Sequence, residues 1–313
     1  MEACDVWGCS ELLAAARLRR HVWRNPSATL SAFASKRSPS ADCGAPEGKR
    51  MFVFGMGFVG RYVAGRLREE GWWKHLNALQ HATHLLISIP PISDLGDPLL
   101  FLQEGLLDML SSGKLQWLGY LSSTSVYGDH GGAWVDEDFQ AKPIVQAAKA
   151  RLAAEQGWLD LGHDLGTSAY VFRLGGIYGP GRSQEALSKY QKMRRSRKYT
   201  ARVHVADIYQ AINASFAGPL TGRVYNVVDD DPAPRSEVFA FAEELIEEKW
   251  PGIIIKRNTP METVEIEMRE ADAKAEKRVS NARLKKELGV GLIHSSYKSG
   301  LRSILDSMES SFR

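Results

Sequence analysis

The sequence predicts an α/β protein: a mostly parallel sheet flanked by helices. Three observations carry this. Short apolar runs alternate with stretches of helical periodicity from residue 51 onward. The first run, Met51–Phe54, breaks into a glycine-rich turn that opens a helix. At 313 residues, with 44% hydrophobic and 25% charged side chains, the chain is long enough for one large α/β domain with a real core.

Residues 1–48 stand apart. Ala14, Ala15 and Ala16 run into Arg17, Arg19, Arg20 and Arg24, and a Ser/Ala/Pro-rich stretch follows in which Asp42 is the one acid before Glu47. That composition predicts a disordered transit peptide, with a merely disordered extension as the alternative. The long Ser/Pro-rich half and the early acids Glu2, Asp5 and Glu11 favour the chloroplast stroma over the mitochondrion. Cys4, Cys9 and Cys43 all lie here, so disulfides and thiol nucleophiles are excluded from the rest. Eight of the 40 basic and five of the 37 acidic groups fall in residues 1–50, leaving 32 of each beyond. A neutral body argues against nucleic acid as a partner. The longest apolar run, Leu85–Ile92, is interrupted by Ser88, Pro90 and Pro91 and is too short for a membrane span.

After Met51–Phe54 come Gly55, Met56, Gly57, Phe58, Val59 and Gly60, then Arg61–Glu70 with Val63, Ala64 and Leu67 on one helical face. Strand, tight glycine turn and helix form the context in which GxGxxG binds a dinucleotide; a plain structural turn is the alternative. Gly55 permits the turn, Gly57 lets a pyrophosphate approach the backbone, and Gly60 lets helix and strand pack. Residues 55–61 are therefore the expected cofactor contacts. The second strand with its ribose-reading residue does not follow. Gly71, Trp72, Trp73, Lys74 and His75 come next, and the following strand signal is His84–Ile89.

Further strand-like runs follow in order. Leu115–Leu121 ends in Ser122-Ser123-Thr124-Ser125-Val126-Tyr127-Gly128, and Tyr170–Leu174 in Gly175-Gly176-Ile177-Tyr178-Gly179-Pro180-Gly181. Then come Arg202-Val203-His204-Val205-Ala206-Asp207-Ile208, the run Val224–Asp230, and Ser280-Asn281-Ala282-Arg283 before Glu287-Leu288-Gly289. Helices are expected over Pro143–Gln156, Asp207–Phe216, Glu237–Trp250 and Tyr297–Met308, and a solvated helix or loop over Glu262–Arg278.

With the glycine loop, this series resembles the extended and atypical short-chain dehydrogenase/reductases, the NAD-dependent epimerase/dehydratase-like group, over nearly all of residues 50–310. GMGFVG and RVHVADI are similar, more narrowly, to a plant and bacterial branch known only as Rossmann-fold proteins. The resemblance implies a Rossmann-like sheet truncated after its first strand–helix unit, a segment on the order of 30–40 residues having been lost beside Gly71. It implies residues 49–180 as an NAD(P)-binding domain and 181–313 as a substrate region, with 203–230 returning to the core.

The cofactor implied is NAD or NADP, contacted also by Ser88, Pro90, Gly176, Tyr178 and Lys149. By resemblance Ser123 and Lys149 are catalytic, Ser orienting the substrate and Lys lowering the pKa of a Tyr acid/base. That Tyr belongs four residues before Lys149, where Val145 stands. Tyr127 is the candidate substitute, packing being its other reading. Asp136, Glu137 and Asp138 are either acid/base groups or a solvated loop. Arg182, Arg202 and His204 are the substrate candidates, with the basic run Lys189–Lys198; a satisfied core histidine is the favoured reading of His204 and an exposed basic loop the other reading of the run, and no metal-ligand spacing occurs. The expected function is an oxidoreductase, epimerase or dehydratase acting on a phosphorylated or nucleotide-linked small molecule, in a homodimer. The alternative is a non-catalytic dinucleotide-binding or assembly protein.

Overall fold

The computed structural model describes residues 49–70, 79–110, 114–182, 199–218, 222–251 and 276–310. The expected transit peptide over residues 1–48, the residues following Gly71 where a lost segment is expected, the basic run 189–198 and most of the charged stretch 262–278 lie outside the described residues. The described residues from Arg50 onward form one compact unit.

Five parallel strands make the main sheet: β1 (Met51–Phe54), β2 (His84–Ile87), β3 (Trp117–Ser123), β5 (Ser168–Leu174) and β8 (Arg223–Val227), in that spatial order. Among the described residues, two small parallel pairs complete the strands: β4 (Trp134–Val135) with β9 (Arg278–Val279), and β6 (Gly176–Tyr178) with β7 (Arg202–His204). The helices are α1 (Phe58–Glu69), α2 (Gln103–Leu110), α3 (Gln146–Asp164), α4 (Val205–Ser215), α5 (Arg235–Lys249), α6 (Ala282–Leu288) and α7 (Tyr297–Ser310). The predicted fold class is the observed one. Among the described residues β1 is an edge strand whose only strand partner is β2.

Every residue of β2 is buried, as a strand covered on both faces requires. On one face Val63 and Leu67 of α1 meet Ile208 and Ile212 of α4 over Trp117, Tyr170 and Tyr225, whose rings stack in turn at 6.1 and 6.3 Å. Gly119 is needed beside them, because a Cβ there would lie 2.2 Å from the Trp117 indole. On the other face Trp158 of α3 stacks on Tyr120 at 6.3 Å and donates from Nε1 to Asp97. Gly162 lets α3 approach β5, since its Cβ would stand 2.4 Å from Ala169.

The differences from expectation lie at boundaries. β2 stops at Ile87, before the Pro90-Pro91 pair that cannot donate to a ladder. α3 begins at Gln146 rather than Pro143, with Val145 as its N-cap, and runs on to Asp164. The β4–β9 pair has no run long enough to show in the sequence; two residues a side suffice because Lys277 and Arg278 also bond the carbonyls of Gly128 and Gly132.

Candidate functional site

The glycine loop sits where the carboxyl ends of β1 and β2 meet the start of α1. Gly55 takes φ +93°, and a Cβ there would lie 2.9 Å from the Ser88 carbonyl carbon. A Cβ on Gly60 would fall 2.0 Å from the Gly55 oxygen, so helix and turn are in contact. Gly57 differs: a Cβ there meets nothing within 4 Å. It is the N-cap of α1, provides no side-chain cap, and no acid occupies the first turn. The helix thus presents bare N–H groups and its positive dipole end toward an open face, which suits a diphosphate. Met56, Gly57 and Arg61 are exposed, whereas Val59 points into the core and offers the site only its backbone. Ser88 is half-buried with its N–H on the Phe54 carbonyl (2.7 Å), and Pro90 is exposed nearby.

Arg182, read as a substrate residue, is placed at this loop instead. Its guanidinium lies 5.2 Å over the ring of Phe58, the first residue of α1. The turn that carries it is fixed by Arg182 N–H on the Gly179 carbonyl (3.2 Å), and Gly179 is so close that a Cβ would stand 3.2 Å from Phe58. A cation beside an uncapped helix start adds to its attraction for an anion.

Ser123 ends β3, half-buried, its Oγ accepting from Ser125 N–H (3.2 Å). Lys149 stands exposed in the first turn of α3, with Val145 at the N-cap. Tyr127 must be corrected. It is 0% exposed, donates to Asn226 Oδ1 (2.8 Å), and lies 4.8 Å beneath the Arg173 guanidinium. Burial pushes its hydroxyl up to about 12, away from the range in which a general acid works. Tyr127 packs the core, its hydroxyl spent on Asn226.

Arg202 is corrected too, and His204 takes the core reading rather than the substrate one. Arg202 is buried, spending its guanidinium on Thr200, Asp231 O (3.3 Å) and Ala233 O (2.6 Å) and on the Tyr297 ring. His204 is buried as the N-cap of α4, its Nδ1 accepting from Ala206 N–H (3.2 Å). Neither reaches an open surface. Tyr178, in β6, turns its hydroxyl toward Gly300 of α7, where a Cβ would sit 2.3 Å away; Gly176 is exposed.

The acidic loop is not uniformly solvated. The Glu137 side chain is 1% exposed, accepts from Asn226 N–H (2.7 Å) and lies 3.7 Å from Arg283, and burial raises its carboxyl. Asp138 is solvated and paired with Arg283 at 2.5 Å, while Asp136 accepts from Asp138 N–H. Sequence reading missed a deeper group. Glu155 of α3 accepts from Ser122 Oγ (2.5 Å) and from Arg173 Nη2 (2.7 Å), fixing the Lys149 helix to the Ser123 strand. Its signal was present: a Glu and an Arg at core-facing positions of a helix and a strand, where lone charges do not survive. No group of three or more potential metal ligands occurs among the described residues. No described helix is long and apolar enough to cross a membrane.

Comparison with known proteins places this geometry. No family model matches the chain. Protein YeeZ of Escherichia coli K12 is 32% identical over 156 residues, 49% of this chain and 55% of YeeZ, so the chain spans about half the length of that relative. A functionally unknown conserved protein of Silicibacter pomeroyi DSS is 33% identical, with a TM-score of 0.66 over 83% of this chain and 99% of that one. This chain belongs to the family of that Silicibacter protein. The fold of that family extends further: dTDP-glucose 4,6-dehydratase of Bacillus anthracis, solved with NAD, aligns at a TM-score of 0.60 and 14% identity over 84% of this chain and 97% of that one. Other structural neighbours are likewise epimerase/dehydratase-like Rossmann proteins.

Proposed function

We propose that the chain binds NAD or NADP through the glycine loop, as a short-chain dehydrogenase/reductase-like protein whose turnover is weak or absent. The observation that carries this is the open space at Gly57, where a Cβ would meet nothing within 4 Å, beside the uncapped start of α1. Residues 55–58, Ser88 and Arg182 would hold the diphosphate, and Lys149 the nicotinamide ribose. The cofactor, when bound, supplies hydride exchange at a carbon; the chain's own residues bind and orient it. The non-catalytic reading gains from Val145 at the N-cap of α3 and from Tyr127 in the core, which leave Ser123 and Lys149 without a phenol between them. A phosphorylated or nucleotide-linked substrate, the homodimer, the lost segment beside Gly71 and the plastid destination of residues 1–48 belong to the same proposal.

Gly57→Asp is the sharpest test. Asp is a favoured N-cap that satisfies the first-turn N–H groups and suits the dipole, so α1 should gain roughly 0.5–1 kcal/mol. The same carboxylate occupies that space and repels a diphosphate. Calorimetry should show at least about tenfold weaker NAD and NADP binding, with an unchanged or higher Tm. Undiminished binding would move the cofactor elsewhere.

Selectivity is a second readout. The ribose-reading residue has no counterpart in the sequence after Gly60, so NAD and NADP should bind within about threefold of each other. Each should bind about ten- to a hundredfold more weakly than to a form carrying the additional segment. Strong preference for one cofactor would contradict the lost-segment reading. Cofactor turnover with carbonyl and nucleotide-sugar substrates should stay near background.

A further inference from the structure

Where β6, the start of α4 and the segment entering α7 converge, several buried polar atoms have no hydrogen-bond partner: Tyr178 Oη, His204 Nε2 and His294 Nδ1. We propose that His204 and His294 form an acid-sensitive latch, fastening residues 290–297 and α7 to the start of α4 and to the Tyr178–Arg182 turn.

The two imidazoles lie 4.1 Å apart, centroid to centroid, in residues only 4% and 8% exposed. Because His204 Nδ1 accepts the Ala206 N–H, the hydrogen-bond network assigns the neutral ring's proton to Nε2. A second proton would have to enter at Nδ1. It would set one N–H against another, undo the N-cap, and place a cation at the positive end of the α4 dipole beside a second imidazole.

Around the pair, Asp207 accepts from the N–H groups of Ile293 (2.6 Å) and His294 (3.2 Å). Asp230 N–H donates to Ser295 O (2.9 Å), and Ser296 Oγ to Asp231 (2.8 Å). The Tyr178 ring meets His204 edge-on at 5.2 Å, its hydroxyl against Gly300. Arg202 and Asp229 complete the charged groups, each influencing Tyr178. Four residues beyond Tyr178, Arg182 lies over Phe58 of the glycine loop, so the latch also seats that turn.

Burial, then the neighbouring His294, hold His204 down at about 4 against an ordinary 6.5. A base depressed in the folded state leaves the latch at full strength above pH 6.5 and weakens it progressively as pH falls toward 4. Asp229 and Asp207, both carboxyls raised by burial, titrate in the opposite sense. A single pH curve would therefore mix the two, and comparison of variants separates them.

Hydrogen exchange on the full chain, corrected for intrinsic rates, reads the opening directly. His204→Asn keeps an N-cap and removes the titration. The ratio of opening at residues 290–300, wild type over variant, should grow by roughly tenfold per pH unit from 6.5 down to 4.5. Residues 176–182 should open in step, while β3 and β5 stay protected. A ratio that stays flat overturns the latch. If His204→Asn fails to fold, His294→Phe serves: it keeps a ring and removes the second imidazole, so the acid-induced rise at 290–300 should be smaller than in wild type. An unchanged rise overturns the proposal equally.

Discussion

Replacing Glu155 with Ala should cost about 3–5 kcal/mol, the range for removing one partner of a buried ion pair. Arg173 and Glu155 have side chains 7% and 4% exposed and meet at 2.7 Å in a bidentate arrangement. Without the carboxylate, Arg173 keeps its charge in the core with only the Tyr127 face against it, and Ser122 loses its acceptor. The Tm should fall by on the order of 10 °C for a unit of this size. The informative control is the double variant Glu155→Met/Arg173→Leu. It removes both charges and should recover most of the loss, because apolar replacement of a whole buried pair is often neutral. A double variant as unstable as the single one would show that the loss comes from packing rather than from a stranded charge.

The same pair explains which parts of the fold were visible in the sequence. β1, the glycine turn and α1 were readable because their logic is local: an apolar run, three glycines at fixed spacing, and Val63 and Leu67 one turn apart. The order of strands followed from runs that end in small residues, since parallel strands buried on both faces are nearly continuous apolar stretches. Side-chain roles were less visible, because they depend on partners far away in the chain. Tyr127 meets Asn226 from β8, Glu137 meets Arg283 of α6, and Arg202 meets the carbonyls of 231 and 233. A cation or a tyrosine beside a motif reads as functional until the residue that occupies it is known. Arg182 shows the converse, since a sequence reading toward substrate could not foresee a stack on Phe58.

Asp229→Asn should stabilise the protein, and by an amount that grows with pH. Asp229 is 4% exposed, with Arg202 and the Asp231 backbone N–H the groups that favour its charged form. Burial pushes its carboxyl from 3.8 up to about 8, more than the nearby Arg202 charge can offset. Between those values the native state holds a proton that the unfolded chain has released. Stability therefore falls as pH rises through the window and levels off above about 8. Asn is isosteric and carries no charge, so the difference from wild type should be near zero at pH 4 and reach several kcal/mol by pH 8.5, on an order-of-magnitude reading of the shift. Urea denaturation of both proteins at pH 5 and 8.5 measures it. A difference equal at the two values, or one that shrinks with pH, would mean that the native carboxylate is ionised and held by Arg202. The variant also bears on the imidazole pair. With Asp229 neutral, Asp207 is the raised carboxyl of the cluster that still opposes His204, so the loss of stability on acidification between pH 6.5 and 4 should be larger in this variant than in wild type.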